Sequence, residues 1–417
     1  MNIIKEDVNW LTTSHPAKAE QAINKALTHN LRVLSHEIIE TVPNVKSIYL
    51  TGGYAASEGT VILNEQGINL ISDYDLVVIT NGKAPIIHTK ESLLKDLINI
   101  YEMPGHPICE VFAWDARKLH KLPMTKFLFD FQLAKCIYGK EFRTTIPRFS
   151  SAEIPCIEGL RLIFNRILGA LIPFSPSLFF TKPSARTLRH LTFESVKLIL
   201  GSCEALLILE GLYSLTQKEN IKRFQERLLP KLPEITCRIP SISQVIDKAL
   251  EYKLLPTAQA EKNAVETWFN SRNFAMMAIA LFMERLFKKK ESSFEEMVND
   301  FINVNPHPFI MNMMVIASLL KKRNFLSPKL LYRKPSNALL ATRLYLLFSV
   351  NRNCTLNEVS LEKAHSILAQ HTGIKLCQKD FKDDWDALKQ CVMNNYIDPY
   401  SQTQSFLGKR IAKSFGR

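Results

Sequence analysis

The chain has 417 residues, a length that predicts two or three domains at about 100–200 residues each. A hydrophobic content of 46% with only 14 glycines excludes a disordered, collagen-like or low-complexity protein. The formal net charge of +13 favours acidic partners such as nucleotides, nucleic acid or an anionic membrane face, although solvated helix ends explain basic runs equally well.

The cysteines and the apolar runs indicate the compartment. The eight cysteines are scattered without a Cys-x-x-Cys pair, which is typical of free thiols in a reducing compartment and offers no zinc or disulfide pattern. The first ten residues, MNIIKEDVNW, lack the basic and apolar parts of a signal peptide. The longest apolar run, 274–283, is shorter than the roughly 20 residues that cross a bilayer. We therefore expect a cytoplasmic protein without a transmembrane segment.

About the first 120 residues alternate between helix and strand patterns, as in α/β proteins. Apolar residues at three- and four-residue steps, after a start signal at Ser14, predict a long amphipathic helix that ends near Val42. Short apolar, β-branched runs predict strands at 46–50, 75–80 and 107–114, with a helix at 89–101.

Beyond this region the strand patterns stop and long apolar stripes at helical spacing follow. Helices are predicted within 124–142, 156–172, 184–213, 261–291, 308–320, 336–348 and 384–396. A capping box, Ser293 with Glu296, predicts the start of a further helix. The predicted fold class is α+β, with a small mixed β-sheet and helices followed by a large all-α region. The predicted domains are 1–148, a helical substrate-binding-type domain 149–292, and a C-terminal helical domain 293–417.

Two short motifs, LTGG and DYD, carry the functional prediction. Gly52 and Gly53 let the backbone approach a ligand closely because no Cβ intervenes, and the amides of such a turn can bind a polyphosphate. Asp73 and Asp75 are two apart in an extended segment, so both carboxylates point to one face. Glu110 lies inside the third predicted strand, where a buried carboxylate is costly unless it meets a cation. Together these carboxylates would bind Mg²⁺, as two ions about 3.5–4 Å apart, for phosphoryl transfer.

With these motifs in this order, the sequence resembles the nucleotidyltransferase superfamily, which includes DNA polymerase beta and the small minimal nucleotidyltransferases. The resemblance covers residues 45–115 directly and implies that 1–148 is a nucleotidyltransferase domain. It implies that Asp73, Asp75 and Glu110 are catalytic and bind two Mg²⁺ or Mn²⁺ ions. The acceptor hydroxyl would give its proton to Glu110.

The same resemblance implies which residues contact the nucleotide. Gly52, Gly53 and Ser57 would position the β- and γ-phosphates of an NTP. A weaker likeness of the following helices to the helical partner domain of minimal nucleotidyltransferases implies that Lys197 contacts the phosphates and that Glu194 helps the acceptor.

One departure from the family pattern is the distance between the motifs. Asp73 follows Gly53 by twenty residues, and the insert 59–71 resembles a hairpin or flap. Such an insert could shape the choice of acceptor. Alternatively, the glycines and the carboxylates could belong to different sites.

Each residue also has a simpler interpretation. Glu110 could be a strand-end carboxylate that faces solvent, Lys197 a helix-surface lysine, Ser57 a helix cap and Glu58 a surface charge. The histidines form no pair spaced for zinc. The basic tail 406–417 could contact an anionic membrane or RNA, or be a frayed terminus.

The predicted function is a metal-dependent nucleotidyltransferase that moves an NMP from an NTP to a hydroxyl acceptor, whose identity stays open, and releases pyrophosphate. Two alternatives explain part of the pattern. A glycosyltransferase also uses D-x-D to hold a metal and a nucleotide-sugar. A non-catalytic module on a nucleotidyltransferase fold could bind RNA or a partner protein through its basic helices.

Overall fold

The computed structural model describes residues 17–64, 67–82, 109–288, 293–303, 335–353, 355–372 and 381–394. The predicted helices at 89–101 and 308–320 and the basic tail lie outside the described residues. Within the described ranges, none of the helices combines the length and the apolar character that a membrane span requires.

The strands lie in the N-terminal part of the chain. They are β1 (Val45–Thr51), β2 (Val61–Asn64), β3 (Gly67–Leu70), β4 (Tyr74–Thr80), β5 (Cys109–Asp115) and β6 (Lys135–Gly139). Four of them form a sheet in the order β5-β4-β1-β6. Strands β4 and β5 are parallel, whereas β1 is antiparallel to both β4 and β6, so the sheet is mixed.

Helices make up most of the remaining described chain. They are α1 (Ala17–Thr41), α2 (Gly52–Ala55), α3 (Lys126–Asp130), α4 (Ile157–Leu171), α5 (Ala185–Leu209), α6 (Gln217–Arg223), α7 (Pro233–Arg238), α8 (Ile242–Leu254), α9 (Ala258–Glu261), α10 (Ala264–Phe287), α11 (Phe294–Asn303), α12 (Pro335–Phe348), α13 (Glu358–Thr372) and α14 (Phe381–Asn394). The α+β fold class, with a small mixed sheet and a large helical region, is confirmed.

Two local predictions are confirmed by hydrogen bonds. The insert 59–71 contains a hairpin, because β2 and β3 pair antiparallel with Val61 opposite Leu70. The capping box at the start of α11 is present: the backbone N–H of Ser293 donates to the Glu296 carboxylate at 2.9 Å, and the N–H of Glu296 donates to the Ser293 hydroxyl at 3.2 Å.

The helix predicted within 124–142 is confirmed only for α3 and is wrong for the residues after it. Helix α3 ends at Asp130, a short 3-10 turn follows, and the chain then enters strand β6. The residues of β6 include Ile137 and Tyr138, which favour strands, and β1 would otherwise leave an unpaired edge. Pairing along that edge therefore outweighs the apparent helical spacing.

The two faces of the sheet enter different cores. On β4, Leu76 and Val78 pack with the apolar stripe of α1, whereas Val77 and Ile79 join a core shared with the helical region. Because side chains alternate along a strand, Asp75 lies on the same side as Val77, toward the helices.

The helix-facing core crosses the predicted domain boundaries. Its buried residues run from Tyr49 on β1 to Val392 on α14. The division into 1–148, 149–292 and 293–417 stays a prediction.

Candidate active site

A cavity of about 380 Å³ lies between the helix-facing side of the sheet and the helical region. The residues predicted from the motifs and found in its wall are Gly52, Gly53, Asp73, Asp75, Glu110 and Lys197. Glu194 also lines it, whereas Ser57 is not one of the lining residues.

The paired glycines and the carboxylates meet at Gly52. This residue follows β1 directly and has a φ of +67°, a left-handed conformation that side chains rarely adopt. A Cβ placed on Gly52 would lie 2.0 Å from Oδ2 of Asp75, so only glycine allows the carboxylate to stand here. The glycines and the carboxylates therefore lie together in one cavity.

The strand register brings the acidic residues to one face. Asp75 lies opposite Glu110 in the parallel β4–β5 ladder, and opposite Thr51 at the end of β1. Asp73 comes two residues before Asp75 and lines the same cavity. Glu110 is partly buried and faces the cavity, so its interpretation as a carboxylate in open solvent is not supported.

The basic residues near Asp75 do not fully offset the effects that raise its pKa. Burial, and after it the charge of Asp73, raises the pKa of Asp75 well above its usual range. Lys197, Arg166 and Lys126 oppose this rise only in part. An added cation would favour the ionised carboxylate.

Carboxylates are the oxygen donors that the cavity offers to Mg²⁺. Among the described residues, no three His, Cys, Asp or Glu side chains are arranged so that they could hold a metal ion together. Mg²⁺ commonly takes one or two protein carboxylates, with substrate phosphates and water supplying the other ligands. The pair Asp73 and Asp75, with the raised pKa of Asp75, fits that mode. The predicted three-carboxylate cage and its second ion stay predictions.

The helices supply a group of basic residues opposite the carboxylates. They are Lys126 on α3, Arg166 on α4, Lys197 on α5 and Lys253 on α8. Only Lys197 was predicted. Its ammonium lies 3.4 Å from the Glu194 carboxylate and 5.1 Å from the Phe193 ring, with 14% of the side chain exposed. The interpretation of Lys197 as a helix-surface lysine is therefore wrong.

One polar cluster in the cavity wall is not among the residues predicted from the sequence. It consists of Lys126, Asp130, Glu204 and Tyr213. The ammonium of Lys126 lies 2.7 Å from Asp130 and 3.7 Å from Glu204, and the Tyr213 hydroxyl donates to Asp130 at 2.9 Å. Burial raises the pKa of Asp130, although Lys126 opposes the rise. The four-residue spacing of Lys126 and Asp130 was a usable signal, but the other two residues come from distant segments.

Glu58 connects the glycine motif to the helical region. Its carboxylate accepts the backbone N–H groups of Gln217 at 2.6 Å and Lys218 at 3.0 Å, at the start of α6. Burial raises the pKa of Glu58 even though these two amides and nearby lysines oppose the rise. The interpretation of Glu58 as a surface charge is therefore wrong. The preceding Ser57 has a φ of +62° and donates its N–H to the carbonyl of Tyr54, so its predicted phosphate contact stays a prediction.

The last described helix also reaches the cavity, because Met393 of α14 forms part of the wall. The cavity wall is thus built from the sheet, from the central helices and from α14.

Comparison with models of known protein families finds no family that matches the chain, and a search of curated proteins finds no matching relative. The resemblance to nucleotidyltransferases therefore depends on the motifs and on the geometry described above.

Proposed function

We propose that the chain is a metal-dependent nucleotidyltransferase that moves an NMP from an NTP to a hydroxyl acceptor and releases pyrophosphate. The observation that carries this proposal is the contact between Gly52 and Asp75 within a cavity that also contains Glu110 and Lys197. A backbone turn for phosphates and a set of carboxylates for cations are the two parts that phosphoryl transfer requires.

Each residue would have a distinct task. Asp73 and Asp75 hold the metal, and bound Mg²⁺ or Mn²⁺ supplies charge neutralisation and polarisation of the α-phosphate. Glu110, beside Asp75 in the ladder, accepts the proton of the acceptor hydroxyl at its carboxylate. The amides of Gly52 and Gly53 orient the phosphates.

In the transfer itself, the acceptor oxygen forms a bond to the α-phosphorus while the bond from that phosphorus to the bridging oxygen breaks. The electron pair leaves with pyrophosphate. The enzyme contributes alignment and fixed charge rather than a covalent intermediate.

The test is incubation of the full chain with each α-labelled NTP and Mg²⁺ or Mn²⁺, followed by chromatography and intact-protein mass. We expect the wild type to transfer label and the double variant Asp73→Asn/Asp75→Asn to lose at least about 10²-fold of the rate. The double variant should also lose Mn²⁺ binding, measured directly by electron paramagnetic resonance. Asp247→Asn, at an exposed position on α8, is the matched control.

A double variant that still transfers nucleotide would overturn the assignment. Turnover of UDP-sugars but not of NTPs would instead favour the D-x-D glycosyltransferase, which does not explain the glycine against Asp75. Metal-independent RNA binding without turnover would favour the non-catalytic module.

A further inference from the structure

The glycine turn, residues 52–60, is attached to the helical region at two points. At the first point, the two oxygens of the Glu58 carboxylate each accept one backbone N–H group at the start of α6. At the second point, the Thr60 hydroxyl donates to the backbone carbonyl of Lys253, in the last turn of α8, at 2.7 Å. Two helices that lie far along the chain therefore hold this turn in place.

Hydrogen bonds within the turn connect the first attachment point to the paired glycines. The backbone N–H of Glu58 donates to the Gly53 carbonyl at 2.8 Å, and the N–H of Ala56 donates to the Gly52 carbonyl at 3.1 Å. Because these bonds close the turn, a displacement of Glu58 also displaces Gly53 and Gly52. Gly52 is the residue that lies against the Asp75 carboxylate, so the position of Glu58 affects the centre of the site.

Stability alone does not explain the contact between Glu58 and α6. Burial raises the pKa of Glu58 although the two amides and the charges of Lys253 and Lys218 oppose the rise, so folding disfavours the ionised carboxylate. The side-chain nitrogen of Gln217 is also buried here, without a hydrogen-bond partner in the part of the chain that the structure describes, which costs free energy. Costly polar groups in the wall of a cavity are typical of functional sites.

We propose that Glu58 is a positioning residue for the transfer reaction: by accepting two amides of α6, it holds the glycine turn where Gly52 lies against Asp75. The inference depends on the proposed function and adds a residue that acts through the turn rather than on the substrate. Thr60 provides the second attachment of the same turn. A displacement of about 1 Å in such a support can slow a reaction by about 10²-fold, because the reacting groups lose their alignment.

The competing interpretation is that Glu58 only joins the sheet to the helices. A purely structural contact would change the amount of folded protein but not the transfer rate of each folded molecule. A positioning contact would lower the transfer rate of each folded molecule even where the stability is unchanged.

The test is the variant Glu58→Gln in the full chain at pH 7. A glutamine side chain has the same shape but places an NH₂ donor opposite one of the two amides, so it cannot accept both. We expect kcat with labelled NTP, per folded molecule counted by Mn²⁺ binding in electron paramagnetic resonance, to fall by at least about tenfold. Mn²⁺ affinity should stay unchanged because Asp73 and Asp75 remain. The Tm should equal or exceed that of the wild type, because the disfavoured charge is removed.

Glu251→Gln, at an exposed position on α8, is the matched control and should keep the kcat and the Tm of the wild type. If Glu58→Gln folds poorly, Thr60→Val replaces it in the test, and should lower kcat per folded molecule by a smaller factor because Glu58 still holds the turn. A wild-type kcat per folded molecule in the variant tested would overturn the inference while the wild type still transfers nucleotide. A wild type that transfers no nucleotide would instead overturn the proposed function, and this inference with it.

Discussion

At the scale of single residues, Gly52 is where backbone geometry and chemistry are most tightly connected. Two independent features require glycine here: the left-handed φ, and the 2.0 Å distance between an added Cβ and the Asp75 carboxylate. Neither feature applies to Gly53. Its φ is not left-handed, and an added Cβ would lie 3.6 Å from the Glu58 carbonyl oxygen, an ordinary contact distance.

This contrast predicts different outcomes for two similar substitutions. Gly52→Ala should displace the Asp75 carboxylate and lower the transfer rate by about 10²-fold, the cost of a misplaced reacting group. Gly53→Ala should cost clearly less, and both variants should unfold cooperatively. Rates measured with labelled NTP check this, and equal rates for the two variants would contradict it.

The sequence could predict residues whose placement depends on local periodicity. The two-residue spacing of Asp73 and Asp75 determines their common face, whereas Glu110 joins them only because β5 pairs with β4. Nothing local predicts Arg166 or Lys253, because their approach to the carboxylates depends on how α4 and α8 pack against the sheet side of the cavity.

At the scale of elements, the same distinction separates the hairpin from β6. The hairpin's strands pair with each other and are close neighbours along the chain, so the sequence alone predicts the hairpin. Strand β6 pairs with β1, which lies about ninety residues earlier, as in Ser47 opposite Gly139. A pairing between segments so far apart in the chain leaves no periodic pattern in the sequence of β6. The spacing of apolar residues within 124–142 therefore favours a helix.

The contact between Glu58 and the start of α6 gives a pH-dependent prediction. The pKa of Glu58 is raised by burial above its ordinary value of 4.5, so the folded protein binds this proton more tightly than the unfolded chain. This tighter proton binding stabilises the folded protein fully below pH 4.5. The stabilisation is lost as the pH rises through the pKa that Glu58 has in the folded protein.

Glu58→Gln removes this titration. We expect the Tm of the wild type, relative to that of Glu58→Gln, to fall as the pH rises from about 4.5 toward 7. Calorimetry across this range measures the difference, and Glu251→Gln, exposed on α8, is the control. A Tm difference that stays constant with pH would contradict the prediction.

At the scale of the whole molecule, the helix-facing core makes the C-terminal helices part of the same packed body. The Trp385 indole on α14 donates to the Leu346 carbonyl on α12 at 3.2 Å, and its ring lies 5.5 Å from that of Phe174 after α4. Lys389 donates to the Phe174 carbonyl at 2.7 Å.

A chain that ends before Pro335 should therefore lose cooperative unfolding, because buried apolar surface of the central helices becomes exposed. We expect weaker near-ultraviolet circular dichroism and binding of a hydrophobic dye. The full chain is the control and should unfold cooperatively. If the shorter chain unfolds as sharply as the control, the helices from Pro335 onward are not needed for the packing of the central helices, and the prediction is contradicted.

Met393 in the cavity wall also has a consequence during translation. A ribosome that adds about 5–20 residues per second makes Asp75 roughly 15–60 s before Met393. The nascent chain thus carries its acidic strand long before the final side of the pocket exists. A nascent chain that ends before Met393 therefore has a cavity that is still open on that side.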